Sequence, residues 1–135
     1  MDKYLIDTHI LLWIVSEPKK LSKNSNKIIS NLDNKIIVSL VSFWEIAIKS
    51  SLGKLDFNTS IKELSKITFQ KEIEIIQPQV NAISIIQKLP FYKFENSEHR
   101  DPFDRMLIAQ AITENIPIIS ADDKFDLYPE IERIW

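Results

Sequence analysis

Asp7 stands in the run Tyr4-Leu-Ile-Asp-Thr-His-Ile-Leu-Leu-Trp13, a carboxylate in the middle of apolar residues. Burying such a charge alone costs several kcal/mol, so its position calls for a cation or a shared polar site. Other acids recur at comparable places: Glu45 in Ser42-Phe-Trp-Glu45, Asp101 and Asp104 in Asp101-Pro-Phe-Asp104, and Asp122 with Asp123 just after Ser120. Three or four carboxylates in one crevice repel each other, and some must protonate unless a cation lies among them. With no cysteine and two histidines in the chain, the donors are oxygens, which select a hard ion such as Mg²⁺ or Mn²⁺. Such an ion binds substrate phosphates and lowers the pKa of a bound water, and the chemistry it favours is phosphodiester hydrolysis.

Whether these acids meet depends on the elements that carry them. Short β-branched runs alternate with longer helical ones. Lys3 to Asp7 reads as a strand, followed directly by a helix from Thr8 to Val15. A helix from Leu21 to Leu32 presents Leu21, Ile28, Ile29 and Leu32. Ile36 to Ser39 is a buried strand, and Ser42 to Leu52 a helix closed by Gly53, the only glycine. Ser60 to Phe69 is a helix, Ile73 to Ile76 a strand, and Pro78 to Leu89 a helix opened by its proline. Pro102 to Glu114 is a further helix, ended by Asn115. Ile116 to Ser120 and Ile131 to Ile134 read as the last strands.

This alternation implies a parallel sheet covered on both faces, an α/β fold. Sites in open parallel sheets form at the carboxyl ends of the strands. Asp7, Glu45 and Asp122 fall on that edge, and Asp104 joins them if the N-terminus of its helix points the same way.

Each acid also has an ordinary structural use. Ser42 and Glu45 have the spacing of a capping box. Asp101 before Pro102 is a good N-cap. Asp104 could complement the helix dipole, Asp122 and Asp123 could be turn residues, and Asp7 with Thr8 could cap the helix that follows.

The rest of the composition narrows the class. The chain has 135 residues, 44% hydrophobic and 27% charged, which suits one domain spanning 1–135. No apolar run reaches the ~20 residues of a bilayer span, and the N-terminal stretch lacks the form of a signal peptide, so a soluble, cytoplasmic protein is expected. The net charge of -2 does not point to nucleic acid by itself, although a local basic rim can guide a polyanion to an acidic centre. Lys49, Lys54, Arg100, Arg105 and Lys124 flank the acidic motifs, with Arg105 the first choice for a phosphate contact and a structural ion pair its rival. Phe91-Tyr-Lys-Phe94 could stack bases, receive a partner protein or pack on the core. His9 reads as a packing or hydrogen-bonding residue, with an acid–base role conceivable for either histidine. Trp13 and Trp44 are expected in the core.

The motifs Leu5-Ile-Asp-Thr-His-Ile-Leu-Leu-Trp13, Ser42-Phe-Trp-Glu-Ile-Ala-Ile-Lys49 with Gly53-Lys-Leu55, His99-Arg-Asp-Pro-Phe-Asp-Arg-Met-Leu-Ile-Ala-Gln-Ala111 and Ile118-Ile-Ser-Ala-Asp-Asp-Lys-Phe125 resemble those of PIN-domain nucleases. The resemblance is strongest to the VapC-type toxins of type II toxin–antitoxin pairs. It implies a three-layer α/β/α fold with a small parallel sheet. It matches Asp7, Glu45, Asp104 and Asp122 to the family's acidic quartet, with Asp7 and Asp104 as main metal ligands and the other two completing the site directly or through water. Thr8 and Ser120 match small hydroxyls near metal and substrate, and Asp101 remains a helix cap. Ser120 stands where threonine is commoner and Asn115 where glycine is usual. The resemblance further implies a Mg²⁺- or Mn²⁺-dependent endoribonuclease acting on single-stranded RNA, a homodimer, and a cognate antitoxin lying across the crevice. The alternatives are a PIN-type nuclease of RNA processing or one acting on DNA, and a metal-free interaction module. A phosphoacceptor receiver domain fits poorly, since Asp7 is followed by Thr8 rather than a second acid.

Overall fold

The computed structural model describes residues 2–135. Strand β1 (Lys3–Ile6) leads into α1 (Thr8–Ser16) through Asp7 alone. After a 3₁₀ turn at Pro18–Lys20 comes α2 (Lys23–Ser30), capped by Ser22. Strand β2 (Lys35–Ser39) runs without a loop into α3 (Leu40–Ser51), and α4 (Ile61–Gln70) follows with Ser60 as its cap. Next come β3 (Glu74–Ile76) and α5 (Val80–Lys88), then a small hairpin of β4 (Lys93–Phe94) and β5 (Ser97–Glu98). Helix α6 (Pro102–Glu114), β6 (Ile118–Ile119), a 3₁₀ turn at Asp123–Leu127 and β7 (Arg133–Ile134) complete the chain.

Five strands form one sheet in the order β3-β2-β1-β6-β7, with every neighbouring pair parallel. Helices cover both faces, which is the three-layer architecture expected. Alternation along each strand divides the core. Ile6, Ile36, Val38 and Ile119 face α1, α3 and α4, where they meet Ile10, Leu11, Phe43, Ile46 and Leu64. Leu5, Ile37 and Ile118 face the other way onto Leu107, Ile108 and Ala111 of α6, with Phe125 and Tyr128.

Two predicted terminators are in place for their predicted reasons. Gly53 adopts φ +69° just after α3, and Asn115 adopts φ +53° after α6, where its N–H closes onto Ala111 and Ile112. Other boundaries differ. Pro78 does not open α5, which begins at Val80. Leu32 lies past the end of α2 and is 91% exposed, so it belongs to no apolar face. Trp44 is also corrected: it projects from α3 to solvent, 61% exposed, with Phe103 edge-on to its ring at 5.3 Å. Trp13 does pack, half-buried, against Trp135.

Candidate active site

The central strands deliver their ends to one place. Asp7 follows β1, and its Oδ1 accepts the His9 N–H at 2.9 Å, so it caps α1 as an N-cap should. Its second oxygen is held by the neighbouring strand's end: the Ser120 hydroxyl donates to Oδ2 at 2.5 Å. The same Ser120 oxygen accepts the Asp122 N–H at 3.0 Å, which fixes the turn after β6 to Asp7. Asp7 is therefore both a helix cap and a carboxylate drawn into a buried network.

Glu45 arrives from the other side. The predicted capping box does not form, because α3 begins earlier: Ser39 is the N-cap and accepts the Val41 N–H at 3.1 Å. Ser42 and Glu45 then lie inside the helix, one turn apart, and face Thr8. The Thr8 hydroxyl donates to Glu45 Oε1 at 2.7 Å. It also lies 2.9 Å from the Ser42 hydroxyl, which must be the donor there, since Thr8 has one proton and a carboxylate only accepts. Lys49, one turn further on, reaches Glu45 Oε2 at 2.5 Å.

Asp101 caps α6 as expected, accepting the Asp104 N–H at 2.9 Å, with Pro102 in the first turn. Asp104, in the first turn of α6, lies near enough to the strand ends for its charge to act on Asp7. Asp104 Oδ2 lies 3.1 Å from His99 Nε2, and His99 Nδ1 lies 2.7 Å from the Tyr128 hydroxyl. The carboxylate accepts, so Nε2 carries the proton and Nδ1 accepts from Tyr128. Tyr128 in turn accepts from Arg105 Nη1 at 3.3 Å.

Electrostatics tie the acids together. Burial pushes the Asp7 carboxyl from 3.8 up to about 6; the Ser120 and His9 hydrogen bonds oppose this, and the charge of Asp104 adds to it. Asp104 is raised by its own burial, against the pull of the His99 hydrogen bond, with Asp101 and Glu45 contributing further repulsion. Two carboxyls raised by burial, with the charge of Asp104 acting on Asp7 and those of Asp101 and Glu45 acting on Asp104, mark a candidate cation position.

Asp122 sits at the rim. Its Oδ1 accepts the Lys124 N–H at 3.0 Å and caps the 3₁₀ turn, so the turn-residue reading holds for this side chain. Among the described residues no three Asp, Glu or His side chains form a ready-made cage. Asp7 and Asp104 with the neighbouring hydroxyls nevertheless fit a hard divalent ion, which commonly takes one or two carboxylates and keeps several waters.

Arg105 requires a correction. It is buried, and its guanidinium donates to the carbonyls of Pro90 at 2.9 Å and Leu89 at 2.7 Å. The Phe91 ring lies 4.2 Å from its outer carbon. The fork is used inside the fold and is not turned to a substrate. Phe91 and Phe94 are covered by cations, Arg100 over the first and Lys124 over the second. Arg100 also pairs with Glu98 at 2.6 Å. Sequence reasoning missed the roles of His99 and Tyr128; the two are 29 positions apart, and nothing local links them.

The PIN-domain family model matches residues 4–131. The chain belongs to the PIN-domain family. It is 24% identical to Ribonuclease VapC22 of Mycobacterium tuberculosis over 138 aligned positions that take in the whole of both chains. Among solved structures, the fold is similar to VapBC-1 from nontypeable Haemophilus influenzae, with TM-score 0.70 and 18% identity over 98% of this chain and 96% of that one. It is also similar to VapBC2 from Rickettsia felis bound to a promoter DNA fragment, with TM-score 0.63 and 17% identity over 98% and 97%. At such identities these structures bear on this PIN domain through its fold.

Proposed function

We propose that this PIN-domain chain is a Mg²⁺- or Mn²⁺-dependent endoribonuclease that cuts RNA phosphodiester bonds as the toxin of a toxin–antitoxin pair. The observation that carries the reading is the buried Asp7 carboxyl at the carboxyl edge of the sheet, raised by its burial and further by the charge of the partly buried Asp104. Membership of the PIN-domain family and similarity to a protein named a ribonuclease support the nuclease. Similarity of fold to toxin–antitoxin complexes supports an antitoxin partner. A homodimer and a cytoplasmic setting belong to the same reading; among the described residues no helix is long and apolar enough to cross a membrane.

In this reading Asp7 and Asp104 hold the divalent cation. When bound, that cation supplies positive charge beside the scissile phosphate and a more acidic water. Ser120 fixes the rotamer of Asp7 through its hydroxyl, and His99 fixes Asp104 through Nε2–H. The Thr8 hydroxyl, itself held by Ser42, fixes Glu45. Asp122, at the rim, completes the acidic edge through water.

The test is cleavage of a structured RNA by the purified chain with Mn²⁺ or Mg²⁺, beside a chelator control and Asp7→Asn. Metal-dependent cutting that Asp7→Asn loses, while remaining folded, supports the reading. Cutting retained by Asp7→Asn overturns the site, and binding of neither metal nor RNA overturns the function.

A further inference from the structure

Both oxygens of the Glu45 carboxylate are already occupied. Oε1 accepts the Thr8 hydroxyl at 2.7 Å, and Oε2 accepts the Lys49 ammonium at 2.5 Å. The Glu45 side chain is 5% exposed and that of Lys49 37%, so the acid lies inside and the ammonium sits over it at the mouth of the crevice. The one-turn spacing along α3 lets the lysine stem reach back over Glu45 without leaving its helix. The Thr8 hydroxyl that holds Glu45 belongs to the residue directly after Asp7, so Glu45 and the Lys49 ammonium on it are joined to the Asp7 end of the crevice.

Asp7 and Asp104 are different. No lysine or arginine pairs with either among the described residues. Their partners are the Ser120 hydroxyl and His9 N–H for one, and His99 for the other. The crevice thus has one half neutralised from within and one half that is not.

We propose that Lys49 is a built-in cation of this site: seated on Glu45, its ammonium takes the position of a second metal ion and leaves the Asp7–Asp104 side to a single divalent cation. The inference rests on the metal-dependent reading above and adds to it the number of ions and a task for Lys49. Two-metal phosphodiesterases place their ions about 3.5–4 Å apart, one for each of the attacking and leaving oxygens. A lysine ammonium is a compact point charge with three donors, suited to a phosphate oxygen in that second place. Glu45 then acts as the holder of Lys49 rather than as a direct metal ligand.

The experiment counts Mn²⁺ ions on the whole chain, by the loss of the free-ion paramagnetic resonance signal and by calorimetry. The wild type is expected to take up one ion per chain. Lys49→Met, which uncovers Glu45, is expected to take up two and to bind the first about tenfold more tightly, the effect of removing a like charge nearby. Glu45→Gln is expected to keep one ion, because it removes the seat of the ammonium and not that of the metal. Lys49→Gln serves if Lys49→Met fails to fold. Two ions on the wild type, one ion on the lysine variant with unchanged affinity, or loss of the ion from Glu45→Gln would each overturn the proposal while leaving a metal-dependent nuclease intact. A wild type that binds no ion would overturn that broader reading, and this proposal with it.

Discussion

The Ser120 hydroxyl donates to Asp7 Oδ2 at 2.5 Å, joining the ends of β6 and β1 across 113 positions of sequence. Its oxygen also accepts the Asp122 N–H, so one small side chain ties two acidic motifs together. Ser120→Ala leaves a buried carboxylate oxygen and a backbone donor without that partner. Stability is expected to fall by about 1–3 kcal/mol, the usual cost of stranding a buried group. Loss of the hydrogen bond also removes a force that lowers the Asp7 pKa, which should rise further. Urea denaturation measures the first effect, and a midpoint equal to that of wild type would show that Ser120 is not restraining Asp7.

Asp7 makes a second prediction, in pH. Its carboxyl titrates at about 6 in the fold against an ordinary 3.8, mainly because it is buried. Below about pH 4 it is protonated in both folded and unfolded chains, and contributes no difference. Between about pH 4 and 6 the unfolded chain ionises first, so stability falls as pH rises, and above that range the full penalty persists. A difference of about two in pKa corresponds to about 3 kcal/mol. Without divalent ions, Asp7→Asn is therefore expected to exceed the wild type by about that amount near pH 7 and to approach it near pH 4. Mn²⁺ should stabilise the wild type at pH 7 and not the variant, since a ligand that binds only the fold adds to its stability. Parallel stability curves for the two proteins across this range would sink the assignment.

What the sequence made legible follows from where the forces are local. Gly53, Asn115, Pro102 and the Asp101 cap were readable because each acts through its own backbone within a turn. The start of α3 was not. Strand β2 is buried and the helix after it is apolar, so no change of polarity separates Ser39 from Ser42, and either serine could have been the cap. The short strands β6 and β7 owe their lengths to their neighbours in the sheet, which no local pattern encodes. Of the four acids, topology put Asp7, Glu45 and Asp122 on one edge and left Asp104 conditional on the direction of its helix. The occupation of Glu45 by Lys49 and Thr8 needed side-chain geometry, whereas the turn role of Asp122 was already among its ordinary uses.

Arg105 shows the same limit and makes the third prediction. It follows Asp104 directly, but successive helical residues point about 100° apart, and the structure sends its guanidinium to the Leu89 and Pro90 carbonyls. Arg105→Ala strands both carbonyls and takes one donor from the Tyr128 oxygen, and is expected to cost about 2–4 kcal/mol of stability. Arg105→Lys recovers little of this, because a single ammonium cannot reproduce the planar fork. RNA affinity of the folded fraction should keep the salt dependence of the wild type, which counts phosphate contacts. A shallower salt slope with unchanged stability would restore Arg105 to the substrate surface.

His99 makes the fourth prediction. It connects Asp104 to Tyr128 and, through Tyr128, to Arg105, so the orientation of the crevice carboxylate is set by a chain of hydrogen bonds ending at two backbone carbonyls. His99 touches neither strand end nor the Asp7 network, and it acts on the site through Asp104 as a positioning residue. His99→Ala frees the Asp104 rotamer, and loss of such an orienting partner typically costs 10–100-fold in activity or metal affinity. The expected pattern is a fall in kcat with KM for RNA nearly unchanged, since RNA is not contacted. Tyr128→Phe, which leaves the imidazole in place but loosens it, should show a smaller fall of the same kind. His99→Asn offers an amide N–H to the carboxylate and should recover part of the lost kcat. If instead the alanine and asparagine variants lose kcat equally, and in proportion to their loss of stability, His99 holds up the fold and does not orient Asp104.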